Sequence, residues 1–260
     1  MKIAICVKHV PVSEDVEIDP VSHSVRRADA TCDMNPCDLN AMEMAAQFKK
    51  ATGSTIDVYT MGPDGAAASL KKCLALGADE AYLLSDRKFA GRDTLGTARV
   101  LADFVKRGAY NIVFTGAESS DGATGQVGAM LAAFLDMPDV ADAVSVALDE
   151  DGSLRIGKKV PQGTLELRAK GPVLLAIPFG CNEPKLPTLR AQMKANHKEI
   201  HVLTGADCDP SVLADLDVKS VVTDVYPAPE ATKQAKEITG TPKKIAAKIQ
   251  ELLEGGDQDV

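Results

Sequence analysis

From Lys2 to Leu135, short apolar runs alternate with amphipathic helical patterns, and that order limits the fold more than any other feature of the chain. Residues 2–7 (KIAICV) are apolar with little alternation, as a strand buried on both faces must be. Asn35-Pro36 opens a helix, with Asn as cap and Pro in the first turn. Leu39, Met42, Ala45, Ala46 and Phe48 form its apolar face, and Gly53 ends it. A strand at 55–60, a helix at 64–76 stopped by Gly77, a strand at 80–84 and a helix at 94–107 follow. A strand at 111–115 and a helix at 124–135 complete the series. In that last helix Val127, Met130, Leu131 and Phe134 recur at i, i+3, i+4 and i+7. Repeated β-α units predict an open parallel sheet covered by helices.

The pattern changes after Pro138. Segments 141–147, 154–160, 164–169 and 173–177 read as strands without intervening helices, expected to extend the sheet in antiparallel fashion. Residues 14–27 (EDVEIDPVSHSVRR) read as a surface hairpin. These elements make one α/β body over residues 1–204. Residues 205–260 read as an arm. It has an acidic start and a stretch, 226–234, with no periodic core face. A last helix after Thr241-Pro242 is expected to turn Ile245, Ile249, Leu252 and Leu253 inward. Such an arm suits docking on another subunit, and a flexible tail is the plain alternative.

Composition removes several function classes. Lys and Arg number 29 against 37 Asp and Glu, and aromatic residues are 4% with no Trp. Neither the charge nor the stacking surface for general nucleic-acid binding is there. No apolar run approaches the ~20 residues of a membrane span, and the first residues read as a strand rather than a signal peptide. Six scattered Cys without a CxxC pair suit a reducing cytoplasm and give no metal-ligand spacing.

Four segments could carry chemistry. The first is 115–128 (TGAESSDGATGQVG), which follows an apolar strand and opens a helix. Small residues admit a ligand close to the backbone, and a helix N-terminus favours phosphate. It is neither a P-loop nor a GxGxxG fingerprint, and a Gly-rich turn with no ligand is the plain alternative. The second is Cys6, Val7 and Lys8 at the end of the first strand, together with Asn35-Pro36-Cys37-Asp38. The third is Met61-Gly62-Pro63. These turns share the carboxyl edge of the predicted sheet, where open α/β sheets bind ligands. No Ser-His-Asp or Cys-His pair offers a catalytic base. The fourth, 181–201, is basic and proline-braced and exposes Leu186, Leu189 and Met193, as a docking anchor would. A solvated loop with its leucines folded back is the alternative there.

In this order the segments resemble the beta subunit of electron transfer flavoproteins, from Met1 to about Gly205. The resemblance is carried by VKHVP at 7–11, NPCD at 35–38, MGP at 61–63, LALGAD at 74–79, SSDGATGQVG at 119–128 and NEPKLPTL at 182–189, leading into MKA. It implies a doubly wound α/β fold, mostly parallel and related to adenine-nucleotide alpha hydrolase-like domains. It also implies a heterodimer with an alpha subunit that carries FAD and exchanges electrons with an acyl-CoA dehydrogenase. The implied nucleotide site is Cys6, Val7, Lys8, Asn35, Cys37, Asp38, Met61, Gly62, Thr115, Gly116, Asp121, Gly122, Ala123, Thr124, Gly125, Gln126 and Val127. The implied docking residues are Leu186, Leu189, Met193 and Lys194. The beta site holds AMP in some members and a second FAD in those that split electron pairs from NADH and reduce ferredoxin. Here 121–128 (DGATGQVG) is nearer the DGDTAQVG of the FAD group than the DDDxNQTGQ of the AMP group. FAD is therefore the expected cofactor, with AMP the alternative. An ATP-binding stress-protein-like module is a further one.

Overall fold

Apolar runs without alternation need cover on both faces. In the computed structural model, which describes residues 1–12, 31–221, 223 and 237–254, those runs form the centre of a seven-stranded sheet. The chain begins with β1 (Lys2–Cys6), then pairs β2 (His9–Pro11) with β3 (Cys32–Met34). It continues through α1 (Pro36–Thr52), β4 (Thr55–Met61), α2 (Ala67–Leu76), β5 (Glu80–Leu84), α3 (Thr94–Lys106), β6 (Ile112–Gly116) and α4 (Val127–Leu135). Next come β7 (Asp139–Val140), β8 (Ala143–Leu148), β9 (Leu154–Val160), β10 (Gly163–Ala169), β11 (Val173–Ile177), α5 (Leu189–Asn196), β12 (His201–Leu203), α6 (Pro210–Ala214) and α7 (Pro242–Glu254).

The large sheet has the order β12-β5-β4-β1-β6-β11-β7, every pair parallel. Successive residues of β1 supply opposite cores. Ile3 and Ile5 pack with α1 and α2, whereas Ala4 and Cys6 pack with α3 and α4. This is a doubly wound sheet, as expected. Its direction reverses at β1, with β4 and β5 on one side and β6 on the other.

The expected antiparallel extension is not formed. β8, β9 and β10 make a separate three-stranded antiparallel sheet, whose Leu154 and Ile156 join the core against α1. β11 instead lies parallel to β6. All five of its residues are buried, which suits the interior of a parallel sheet better than a half-wet hairpin. The expected hairpin at 14–27 and the stretch 226–234 lie outside the described residues.

One transverse row crosses the sheet in register: His201, Tyr82, Tyr59, Cys6 and Thr115. Tyr59 and Tyr82 stack with ring centres 4.7 Å apart, and Tyr82 stacks on His201 at 5.1 Å. Tyr110 donates to the buried Asp57 carboxylate at 2.6 Å and meets the Tyr59 hydroxyl at 2.7 Å. The chain divides into compact units at 1–223 and 224–260. In the first, Cys208 and Leu216 are buried against the α3 side of the sheet. In the second, Ile249 and Leu252 of α7 are exposed. No described helix is long and apolar enough to cross a membrane.

Candidate functional site

The carboxyl ends of β4, β1 and β6 bring together Met61-Gly62, Cys6-Lys8 and Thr115-Gly116. The crevice between β1 and β6 is the reversal point of the strand order, where this class of sheet receives ligands. Helix α1 begins at that crevice and supplies its clamp. Asp38, in the first turn, accepts from the Lys8 N–H at 2.6 Å and from the Gly116 N–H at 3.0 Å. One carboxylate therefore ties the end of β1 to the end of β6. Burial pushes its carboxyl up to about 7, and the hydrogen bonds it accepts offset only part of that rise.

Pro36 occupies the first position of α1 as expected, but Asn35 does not cap the helix with its side chain. Asn35 reaches across the crevice instead. Its Nδ2 donates to the Glu118 carbonyl at 2.8 Å, and its Oδ1 accepts from the Ser120 N–H at 3.1 Å. Lys8 spans the same gap, with Nζ 2.6 Å from Asp121 and 3.2 Å from the Ser119 hydroxyl. Asn35, Asp38 and Lys8 thus hold the loop after β6 from three directions.

The loop itself is folded by local stereochemistry. Ala123 (φ 45°) and Gly125 (φ 62°) are left-handed, so α4 begins at Val127 rather than Thr124. A left-handed residue followed by right-handed Gln126 turns successive N–H groups toward one side, the arrangement that receives anions. The first turn of α4 adds N–H groups with no helical partner. Two glycines are required by close approach. A Cβ at Gly116 would lie 2.3 Å from an Asp38 oxygen, and one at Gly128 would lie 2.9 Å from Thr115 Oγ1.

The expected residues play unequal parts. Val7 donates its N–H to the Tyr59 carbonyl at 2.9 Å and buries its side chain in the core. Cys6 is also buried, and burial followed by the Asp38 charge pushes its thiol up to about 12, so it stays neutral. Thr115 Oγ1 is buried beneath α4 with no hydrogen-bond partner among the described residues. The orphaned hydroxyl, the turn at Gly125-Gln126 and the free N–H groups of the first turn of α4 fit a phosphate-bearing nucleotide. No set of three or more His, Cys, Asp or Glu among the described residues is placed to hold a metal ion.

A cleft of about 350 Å³ opens outside this loop, lined by Cys37, Ala117, Glu118, Gly125, Pro178 and Phe179 among others. Phe179 is 74% exposed. It was invisible in the sequence because β11 reads locally as a hairpin strand. Parallel pairing with β6 puts its carboxyl end on the ligand edge. The expected docking segment does expose its apolar side chains. Leu186 is 86% and Leu189 73% exposed, and Met193 is exposed too. Leu189 opens α5, a helix not foreseen, whose cap Thr188 accepts from the Ala191 N–H at 3.2 Å.

Residues 24–207 match the electron transfer flavoprotein domain family. The chain is 35% identical over 256 residues to an electron transfer flavoprotein subunit beta of Thermoanaerobacterium thermosaccharolyticum, covering 97% of this chain and 98% of the relative. It is 40% identical over 214 residues to the subunit beta of Megasphaera elsdenii, covering 79% of each. A caffeyl-CoA reductase-Etf complex subunit, CarD of Acetobacterium woodii, is 34% identical over 245 residues, with 93% of each chain covered.

Proposed function

The chain belongs to the electron transfer flavoprotein family as a beta subunit, and on that premise we propose that it holds FAD in the crevice between β1 and β6. The observation that carries this reading is the convergence of Asp38, Asn35, Lys8 and the 116–127 loop on one carboxyl edge. Backbone N–H groups of that loop and of the first turn of α4 would receive the diphosphate. The cleft beside Phe179 supports FAD over AMP, because it offers room beyond the phosphate loop for the rest of a dinucleotide.

Bound there, a flavin supplies two-electron uptake from NADH and one-electron delivery onward. The chain's own part is to bind, orient and exclude water. The family implies an alpha subunit as partner. Electrons would pass to that subunit and to a low-potential acceptor such as ferredoxin, in the bifurcating manner, within a reducing cytoplasm. One relative's name places it in a complex with a caffeyl-CoA reductase, which supports an acyl-CoA dehydrogenase type of partner here. Leu186, Leu189, Met193 and Lys194 would form the docking anchor, and the segment from 205 onward an arm on the alpha subunit.

Counting released nucleotides decides the cofactor. The purified heterodimer, denatured, should release two FAD and no AMP. One FAD together with one AMP would overturn the second-flavin reading and leave AMP in this site.

A further inference from the structure

Helix α1 touches two regions that the sequence treats separately. Its first turn forms the crevice clamp through Asp38 and lines the neighbouring cleft with Cys37. About one turn on from Cys37, on the side of the helix away from Asp38, it carries Asn40 and Glu43, polar residues that are only 1% and 5% exposed. Gln47, one turn further along α1, donates its Nε2 to Glu43 at 2.7 Å, and the other partners of Asn40 and Glu43 come from the segment that follows β11. Asn40 Nδ2 donates to both the carbonyl and the Oδ1 of Asn182, each at 2.8 Å. Asn40 Oδ1 accepts from the Gly180 N–H at 3.1 Å, and Asn182 Nδ2 donates back to the Asn40 carbonyl at 3.0 Å. Glu43 accepts from the Lys185 N–H at 3.2 Å and pairs with the Lys185 ammonium at 3.5 Å.

The tether also begins at the crevice. The Ala117 N–H donates to the Ile177 carbonyl at 2.8 Å, joining the loop after β6 to the end of β11. Gly180, at φ 73°, turns the chain onto α1. Leu186 follows the anchored Lys185 directly, and Pro187 stiffens the step to Thr188 and Leu189. A buried polar cluster satisfied on every side fixes one arrangement, where apolar contact would tolerate several.

We propose that Asn40 and Glu43 are positioning residues that couple nucleotide occupancy to the docking segment. This rests on the nucleotide reading above. A nucleotide in the crevice would fix the start of α1, and the helix passes that order to residues 180–189 through Asn182 and Lys185. Linkage is reciprocal, so a partner seated on Leu186 and Leu189 tightens nucleotide binding by the same factor.

The test uses the heterodimer, stripped of nucleotide and reloaded with AMP or with FAD, followed by amide hydrogen exchange. Reloading should slow exchange at 116–128 and also at 180–190, the latter by about fivefold or more, the low end of ordinary coupling. Asn40→Ala should keep the protection at 116–128 and lose the nucleotide-dependent part at 180–190. Asn182→Ala, altered on the loop side, should do the same and serves where Asn40→Ala does not fold. Protection at 116–128 with no change at 180–190 in the unaltered protein overturns the coupling while sparing the nucleotide site. No protection at 116–128 with either nucleotide overturns both.

Discussion

The Asp38 carboxylate accepts the Gly116 N–H at 3.0 Å, and the space a Cβ on residue 116 would need lies 2.3 Å from an oxygen of that same carboxylate. Bond and exclusion are one fact: β6 comes close enough to be clamped because its last residue has no side chain. Gly116→Ala should force Asp38 or β6 aside and destabilise the fold by about 1–3 kcal/mol, as overpacking does. Urea unfolding measures the change. An alanine variant as stable as the parent would show that the approach is loose.

Asp38 should also leave a mark on pH dependence. Its folded carboxyl is raised to about 7 by burial, against about 3.9 in an unfolded chain. Between those values the folded state holds a proton that the unfolded state has lost. Stability from this group is therefore fully present below about pH 4 and is lost as pH rises through about 7. Asp38→Asn lacks the titration. Its amide also sets a donor against either the Lys8 or the Gly116 N–H, a loss of about 1–3 kcal/mol. The stability advantage of the parent over the variant should shrink from about pH 5 to about pH 7.5. A difference independent of pH would place the Asp38 carboxyl in the ordinary range.

Tyr110→Phe should cost about 1–3 kcal/mol, since it strips the donor from buried Asp57 and the partner from Tyr59 together. The ring would keep its place over Gly108, where a Cβ would come within 2.2 Å of it. A Tyr110→Phe melting temperature equal to the parent's would mean that Asp57 finds another partner.

Leu189→Ala should leave folding and flavin content unchanged, because the side chain is 73% exposed. Coupling to an acyl-CoA dehydrogenase should weaken by about 1–3 kcal/mol, read as a raised KM for that protein. An unaltered KM removes Leu189 from docking.

What local pattern could not reveal follows from where the deciding contacts lie. Ile3 and Ile5 against Ala4 and Cys6 announce a strand covered twice, and Gly53 at φ 70° ends α1 where the sequence says it must. Val173 to Ile177 gives the same apolar signal, but its choice of β6 over the neighbouring β10 is made about 60 residues away. α5 has no core face to read, because Leu189 and Met193, one turn apart, face outward. The Thr188 cap was the available signal. The crevice residues were legible as turns at strand ends. Asn40 and Glu43 were not, since polar residues in a helix look solvated until Asn182 and Lys185 arrive from 142 residues on.

The transverse row of the sheet has an optical consequence. The chain has no tryptophan and only four tyrosines, three of which (Tyr59, Tyr82 and Tyr110) meet beside Cys6. Three of the four tyrosines behind this subunit's near-ultraviolet absorption and intrinsic emission therefore sit in one corner of the sheet, next to the crevice. A spectroscopic unfolding curve follows that corner and says little about the separate β8–β10 sheet or α7. The same placement makes tyrosine emission a native donor whose quenching reports when an absorbing cofactor enters.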